Sequence, residues 1–188
     1  MESVAAELGI AKGTLYLYFR TKEELFLAMA EGELLSWFEE IDEILARSRR
    51  ELGTGELAQL LARSLSSRPR LPRLLAILHT VLERNIEHLI ALRFKQFLAT
   101  RTHRSGRLLE RRLPFLPEGA GSQLILRVHA LVLGFWQMSD ASPVVKGLFV
   151  APGLELFKVD FTEALESTLS DLLTGMKVAF SPTPGSAG

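Results

Sequence analysis

The sequence predicts an all-α protein with a small N-terminal head and a larger helical domain. Three observations support this fold class. Apolar residues recur every three or four positions along most of the 188 residues, as they do on one face of an α-helix. No stretch stands out with the apolar and polar alternation of a strand. Proline and glycine cluster between the helical segments, and such clusters mark loops.

The composition indicates a folded protein without disulfides or thiolate metal sites. Hydrophobic residues make up 47% of the chain, which is long enough for one small module plus one well-packed domain. The 22 basic and 22 acidic residues cancel, so any contact with nucleic acid must come from local charge. The absence of cysteine fits a cytoplasmic protein. Neither a membrane span of roughly 18 apolar residues nor a signal peptide is predicted.

Residues 4–26 have the pattern of a helix-turn-helix. The apolar members of residues 4–8 form one face, and Gly9 can supply the left-handed backbone that ends the first helix. In the second helix Leu15 and Phe19 lie four positions apart, so both face the first helix. The polar and phenolic side chains of the second helix are then free to enter a DNA groove and contact phosphates.

At these positions the sequence resembles the TetR family of transcriptional regulators. Residues 9–25 match that family's signature almost position for position, with the sequence Gly-Ile-Ala-Lys-Gly-Thr-Leu-Tyr-Leu-Tyr-Phe-Arg-Thr-Lys-Glu-Glu-Leu. The resemblance is strong over residues 4–30 and continues beyond them as architecture. It implies a DNA-binding head at 1–30, followed at 31–180 by a helical effector-binding and dimerisation domain of the TetR type. The proline- and serine-rich residues 181–188 are predicted to form a disordered tail.

The resemblance also implies a further helix before the motif, and this chain begins inside the second helix of the head. That first helix would cover the apolar faces of the motif, so its loss exposes on the order of a few hundred Å² of apolar surface. We therefore expect either a natural start upstream of Met1 or a head whose DNA reading is compromised.

The motif match assigns DNA contacts within the head. It implies a binding set made of Lys12, Gly13, Thr14, Tyr16, Leu17, Tyr18 and Lys22. Lys12 suits the acceptors of guanine, and Gly13 lets the backbone approach a base. Lys22 at a helix N-terminus adds amide donors to its own charge when it meets a phosphate. The alternative for Tyr16 is that it packs within the head.

A long helix is predicted to join the head to the larger domain. Thr21 and Glu24 have the spacing of a capping box, and the helical pattern that they open runs to about Ser48. A glycine-rich turn separates this helix from a short amphipathic helix over residues 56–65.

The remaining helices follow from apolar spacing and from their caps. Helical spacing continues over residues 72–112, with a bend near Asn85. Ser122 is the predicted cap of the next helix, which Pro143 ends. After a connector, Asp160 is predicted to cap the last helix.

The middle helices mix large apolar side chains with isolated polar groups. Ligand pockets have this composition, but so has an ordinary core, which is the prediction for any one of these residues alone. As a set, and with the family resemblance, they are interpreted as a pocket for a small hydrophobic or amphipathic effector. Its predicted residues are His79, Glu83, Phe94, Phe97, His129, Phe135 and Trp136.

A second interpretation applies to the face that His79, Glu83 and Glu87 share at a spacing of four, beside His88. Imidazole and carboxylate groups can hold zinc or act as acid and base. A solvated or salt-bridged helix face fits the same pattern. The lack of a third clear metal ligand favours the solvated or salt-bridged face. No metal or other cofactor is therefore predicted.

The resemblance implies that the last two long helices pair with their copies from a second subunit in a four-helix bundle. Small residues on both helices would permit close approach, although both could also be ordinary core helices. A helix-turn-helix protein reads two half-sites about 34 Å apart, which favours a homodimer. The predicted interface consists of Leu126, Ala130, Leu133, Gly134, Ala164, Leu165, Thr168 and Leu172.

The leading hypothesis is a ligand-responsive repressor. It binds a palindromic operator in double-stranded DNA as a homodimer and is released by a small hydrophobic effector. The alternative is a truncated regulator-like dimer that binds a small molecule and does not bind DNA. An enzyme is not predicted, because the sequence has no nucleophile elbow, zinc-protease motif, phosphate loop or dinucleotide fingerprint.

Overall fold

The computed structural model describes residues 18–48 and 50–181, with the backbone alone over residues 79–85. No strand occurs among these residues, which agrees with the predicted all-α fold. A 3₁₀ turn, Glu155–Phe157, lies between the last two of the helices. These helices are α1 Lys22–Arg47, α2 Thr54–Ser66, α3 Arg70–Asn85, α4 His88–Arg112, α5 Ala120–Ser139, α6 Pro143–Leu148 and α7 Phe161–Phe180.

Helix α1 begins and ends where the sequence predicts. The Glu24 amide donates to the Thr21 hydroxyl at 3.1 Å, and the Glu24 carboxylate accepts from the Arg20 amide at 2.8 Å. These two bonds give side-chain acceptors to amides at the start of the helix, where the backbone supplies none. The predicted cap at Thr21 is therefore confirmed, as is the end of the helix before Ser48.

The larger domain is built around α1. Helix α1 packs against α2, α3 and α4, while α7 lies along α2 and α5 lies along α4. Helix α5 also packs against α3 and α7, which joins the two sides of the domain. One core cluster results, and its leucines with no exposed surface are Leu45, Leu57, Leu71, Leu113, Leu124, Leu165, Leu169 and Leu173.

The predicted bend near Asn85 is a break between two helices. Ile86 has an extended backbone, with φ −111° and ψ 142°, and α4 begins two residues later. Residues 72–112 therefore form two helices that are free to differ in direction.

Helix α5 begins earlier than the sequence predicts. Its N-cap is Gly119, whose φ of 85° lies in the left-handed region that favours glycine. The predicted cap Ser122 is inside the first turn, where its hydroxyl lies 3.3 Å from His103 Nδ1. The Glu110 carboxylate supplies the cap instead, because it accepts from the Gly121 amide at 3.0 Å. A side chain on a neighbouring helix has taken the role expected of a local one.

Helices α4 and α5 touch through their backbones at Gly106 and Gly121. A Cβ added at Gly121 would lie 2.1 Å from the Gly106 carbonyl oxygen, and one added at Gly106 would lie 2.6 Å from the Ser122 nitrogen. Real Cβ atoms do not approach other atoms so closely. Glycine at both positions is therefore required for the two helices to cross here.

Helix α2 begins at Thr54, two residues before the predicted start, because an ion pair organises the preceding turn. The Arg50 guanidinium donates to both carboxylate oxygens of Glu56 at 2.8 and 2.6 Å, and the Gly53 amide donates to the same carboxylate at 3.0 Å. The hydrogen bond from Arg50, followed by that from Gly53, lowers the pKa of Glu56 from 4.5 to about 2.

The glycine crossing predicts opposite effects for the same substitution at two helical glycines. Gly121→Ala is expected to lower the free energy of unfolding by at least about 2 kcal/mol, because the helices must separate to admit a methyl group. Gly32→Ala is the matched control, since an added Cβ there meets nothing within 4 Å. It is expected to raise stability by about 0.5–1 kcal/mol. Urea denaturation measures both, and equal effects would contradict the crossing.

The Arg50–Glu56 pair predicts a pH dependence of stability at acid pH. The folded pKa of Glu56, about 2, is below its ordinary value of 4.5, so the pair stabilises the fold above about pH 4.5. That contribution is lost as the pH falls toward 2. A carboxyl-carbon NMR titration measures the pKa of Glu56 directly, and Arg50→Gln is expected to return it toward 4.5. Arg47→Gln, which removes a pair with Glu43 instead, should leave the pKa of Glu56 unchanged.

Candidate functional site

The described end of the head presents two predicted DNA-binding residues to solvent. Tyr18 is 78% exposed. Lys22 is the first residue of α1, and its exposed Nζ lies 3.8 Å from Glu23 Oε1. An exposed phenol and an ammonium group beside a helix N-terminus are suited to phosphate contacts. The other predicted DNA-binding residues, Lys12, Gly13, Thr14, Tyr16 and Leu17, lie outside the described residues.

An ion pair joins the start of α1 to the break between α3 and α4. Arg20 Nη1 donates to Glu87 Oε1 at 3.2 Å, and both side chains are exposed. Exposed pairs contribute only about 0–1 kcal/mol to stability. The significance of this pair is therefore that it places the start of α1 next to the break between α3 and α4. The sequence analysis placed Glu87 on a helix face with histidines and missed its partner, which is 67 residues away.

A buried carboxylate fixes α1 on α4. Asp42 is 4% exposed, accepts a short hydrogen bond from the Ser105 hydroxyl, and has Arg104 Nε 2.8 Å from its second oxygen. A buried charge is costly unless it is paired, so a shift of α1 along α4 would be opposed. The sequence analysis missed this group. The available signal was an acidic residue on the apolar face that also carries Phe38 and Leu45.

The C-terminal end of α1 is also bonded to α4. Arg112 donates through Nε to the Leu45 carbonyl at 2.7 Å and through Nη2 to the Ala46 carbonyl at 3.3 Å. These carbonyls are among the last four of the helix, which have no partner within it. The end of α1 is therefore held by the last turn of α4.

Helix α2 and the turn that follows it also make polar contacts with α1. Trp37 Nε1 donates to the Ser64 hydroxyl at 3.0 Å in a buried contact, and Arg68 donates to the Ser36 hydroxyl at 3.0 Å. Arg68 also pairs with Glu40. Because α2 and α4 both bond the C-terminal half of α1, that half is fixed to these two helices.

The predicted pocket residues on α4 belong partly to the core. Phe94 is 3% exposed, and its ring lies 6.2 Å from that of the half-buried Phe97, between centroids. The Arg101 guanidinium lies 5.9 Å from the Phe97 centroid, over the ring. Arg101 covers Phe97, and Phe94 is part of the core cluster. Phe94 therefore serves packing in this conformation.

The predicted pocket residues on α5 are half-buried. They are His129, Phe135 and Trp136. The Trp136 ring meets Phe161 of α7 edge to face, with 5.8 Å between centroids and an angle of 81° between planes. The two remaining predicted residues, His79 and Glu83, lie in the segment whose side chains are not described.

Trp136 lines a groove of about 210 Å³ between α3 and α5. Ile77 and Ala76 supply the apolar wall from α3, and Arg73 and Asp140 supply charges at the rim. Ligand pockets are usually about 300–1,000 Å³ in volume, so a drug-sized molecule would have to widen this groove. The groove is lined by the indole of Trp136, the aliphatic side chains of Ala76 and Ile77, and the cationic side chain of Arg73. These groups together suit an amphipathic molecule.

Two larger grooves lie away from the predicted pocket residues. One of about 720 Å³ runs along α7 beside α2 and is lined by carboxylates, with Asp160, Glu163, Glu166 and Asp171 among them. These charges disfavour an apolar ligand. Another, of about 540 Å³, lies between α1 and α2 and is lined by Leu52, Leu60 and several charged groups. Of the three grooves, the one at Trp136 is lined by a residue of the predicted pocket.

The described residues provide no metal site and no membrane span. Within residues 18–48 and 50–181, no group of three or more His, Asp or Glu side chains is placed to hold a metal ion. Over the same ranges no helix has both the length and the apolar character that crossing a membrane requires.

The predicted dimer residues fall into three groups by exposure. Leu126, Ala130 and Gly134 are exposed on α5, and Leu126 is 55% exposed. Leu133 and the α7 residues Ala164, Thr168 and Leu172 are half-buried. Leu165 has no exposed surface, because it belongs to the core in which α7 packs against α2. It therefore offers a partner nothing to contact.

Comparison with known families covers both parts of the chain. Residues 31–179 match a family described as the tetracyclin repressor-like C-terminal domain. Residues 1–29 match the family described as bacterial regulatory proteins of the tetR family. No curated protein matches the chain at a significant level. The first match alone spans more than half of the 188 residues, and both matched domains are those of a DNA-binding regulator. The chain therefore belongs to the TetR family of bacterial transcriptional regulators.

Proposed function

We propose that this regulator is a ligand-responsive repressor. As a homodimer it binds a palindromic operator, and a small hydrophobic or amphipathic effector releases it. The observation that carries this proposal is the 26-residue helix α1, which begins at the head and is bonded to α4 near its other end through Asp42. A single rigid element thus connects the part of the chain that meets DNA with the part that can hold a ligand.

The DNA contacts are proposed from the motif and from exposure. Lys12, Gly13 and Tyr16 approach base edges, and the phosphate-binding residues include Tyr18 and Lys22. Thr14 and Leu17 complete the set. The exposure of Tyr18 and Lys22 at the start of α1 supports this assignment.

The dimer is proposed to form through the outward faces of α5 and α7. Exposed Leu126, Ala130 and Gly134 lie on α5 at a spacing of four, so they share one side of the helix. A Cβ added at Gly134 of α5 or Gly175 of α7 meets nothing within 4 Å, which leaves room for a partner helix. Leu133, Ala164, Thr168 and Leu172 border this face.

The effector is proposed to act by tilting α1. A ligand that widens the groove at Trp136 pushes α3 away from α5. Helix α3 ends at the break that carries Glu87, the partner of Arg20. A tilt of about 5° around Asp42 would move Thr21 by roughly 3 Å, since 21 helical residues span about 32 Å. Half-sites on DNA are about 34 Å apart, so such a shift in each subunit disfavours operator binding.

The DNA-binding assignment predicts that Lys12→Ala and Tyr16→Ala each weaken binding to the protein's own promoter by about tenfold or more, the usual cost of losing a base contact. Fluorescence anisotropy at fixed salt measures this, and light scattering shows whether the dimer persists. Lys95→Ala removes the same charge from an exposed position on α4 and should leave binding unchanged. Loss of the dimer in the head variants would contradict the assignment. A wild-type chain that dimerises but binds no promoter DNA would favour the alternative function.

The effector site predicts that Trp136, not Trp37, reports ligand binding. The probe is the amphipathic dye 1-anilinonaphthalene-8-sulfonate. In Trp37→Phe, whose remaining indole is Trp136, saturable quenching is expected because the indole lines the groove. In Trp136→Phe the remaining Trp37 is buried and bonded to Ser64, and little quenching is expected. Stronger quenching of Trp37 would place the site elsewhere.

A further inference from the structure

The segment between α5 and α7 exposes an unusual amount of apolar surface. We call residues 143–157 the connector; it contains α6 and the 3₁₀ turn. Its exposed large apolar side chains are Val144 (78%), Val145 (40%), Leu148 (54%), Val150 (83%), Leu156 (72%) and Phe157 (50%). Together they present on the order of several hundred Å² within one short segment, which a monomeric protein rarely leaves uncovered.

Helix α6 is only partly covered by its own chain. It has six residues, and none of them is buried; the same is true of the 3₁₀ turn. The Ser142 hydroxyl caps the helix and Pro143 sits in its first turn, which fixes where it starts. Helices this short are marginal in water without packing. Packing of these exposed side chains against another molecule would therefore stabilise α6.

The connector is nevertheless attached to its own domain along one side. Phe149, Ala151 and Leu154 are half-buried. The segment thus has apolar residues on an inward side and on an outward side. An element that is apolar all round is normally buried all round, and here the inward side alone is covered.

The connector lies between the two helices whose outward faces are proposed to form the dimer. Of the exposed large apolar side chains in the described residues, ten lie within 126–180 and five elsewhere. The outward face of α5 runs from Leu126 to Met138, just before the connector, and α7 ends with exposed Val178 and Phe180. Exposed Met138 lies five residues before the connector, so the apolar surface of the connector follows directly, along the chain, on the α5 face that is proposed to form the dimer.

We propose that the connector is a second element of the dimer interface, in which its outward apolar side packs against the other copy of the chain. This inference rests on the proposed homodimer. In a two-fold dimer the same patch is contributed twice, so both connectors are covered at once. A stable interface buries about 800 Å² per partner, and the connector supplies a large part of that area beyond the helical bundle. The low charge of the segment, with Lys146 as the cation of α6, also suits an interface core.

A matched pair of leucines tests this inference. Leu156 in the connector is 72% exposed, and Leu89 at the start of α4 is 70% exposed. In the full chain Leu156→Ser is expected to raise the dimer dissociation constant at least about tenfold, because each dimer loses two buried leucines. Leu89→Ser should leave it unchanged. Sedimentation equilibrium measures the constants, and circular dichroism checks that both variants fold. Equal constants for the two variants would overturn the inference.

Hydrogen exchange of the wild-type chain separates this inference from the homodimer on which it rests. Above the dimer dissociation constant, amides of residues 143–157 are expected to be protected, and below it they should exchange freely. A dimer whose connector exchanges freely at both concentrations would overturn the inference and leave the homodimer intact. A chain that stays monomeric at every concentration would overturn both. Protection that requires added phosphatidylglycerol vesicles instead of the second copy would assign the surface to a membrane and also overturn the inference.

Discussion

The buried carboxylate of Asp42 is the constraint on which the rest of this structure depends. An ionised group with 4% exposure is tolerated because Ser105 donates to one oxygen and Arg104 lies against the other. Both partners belong to α4, so α1 has one favourable register on that helix. The same contact therefore fixes how the N-terminal end of α1 lies relative to α4. Hydrophobic packing alone would hold α1 in place much less specifically, since apolar contacts have little directionality.

Features with a local cause were predictable from the sequence. The cap at Thr21, the cap at Asp160 and the break near Asn85 each depend on a few neighbouring residues. Features that depend on distant partners were not. The close approach of Gly121 to Gly106 joins two helices, and α5 takes its cap from Glu110 on another helix. Leu165 was assigned to a partner because helical spacing shows that a face is apolar without showing what covers it.

The residues of the predicted effector pocket show the same limit of sequence-based prediction. Phe94 and Trp136 belong to one predicted aromatic set, yet Phe94 is packed in the core and Trp136 lines an open groove. Large apolar side chains serve both purposes, so composition cannot separate them. The groove is smaller than most ligand pockets, and binding therefore requires α3 and α5 to move apart. A ligand that fits only the widened groove prefers the state in which α3 and α5 are apart. Such a preference is what allows a ligand to shift a conformational equilibrium.

The contact between Gly106 and Gly121 has a mechanical consequence. With no side chain between the backbones, α4 cannot approach α5 or slide past it there, and rocking about the contact is the motion that remains. The contact between Gly106 and Gly121 is then the point about which α4 rocks. Phe94 lies twelve residues before Gly106 and Arg112 six residues after it, so rocking that displaces Phe94 moves Arg112 in the opposite direction by about half as much, because helical rise is uniform. Since Arg112 holds the C-terminal end of α1, two glycines set the direction in which that end of α1 follows α4.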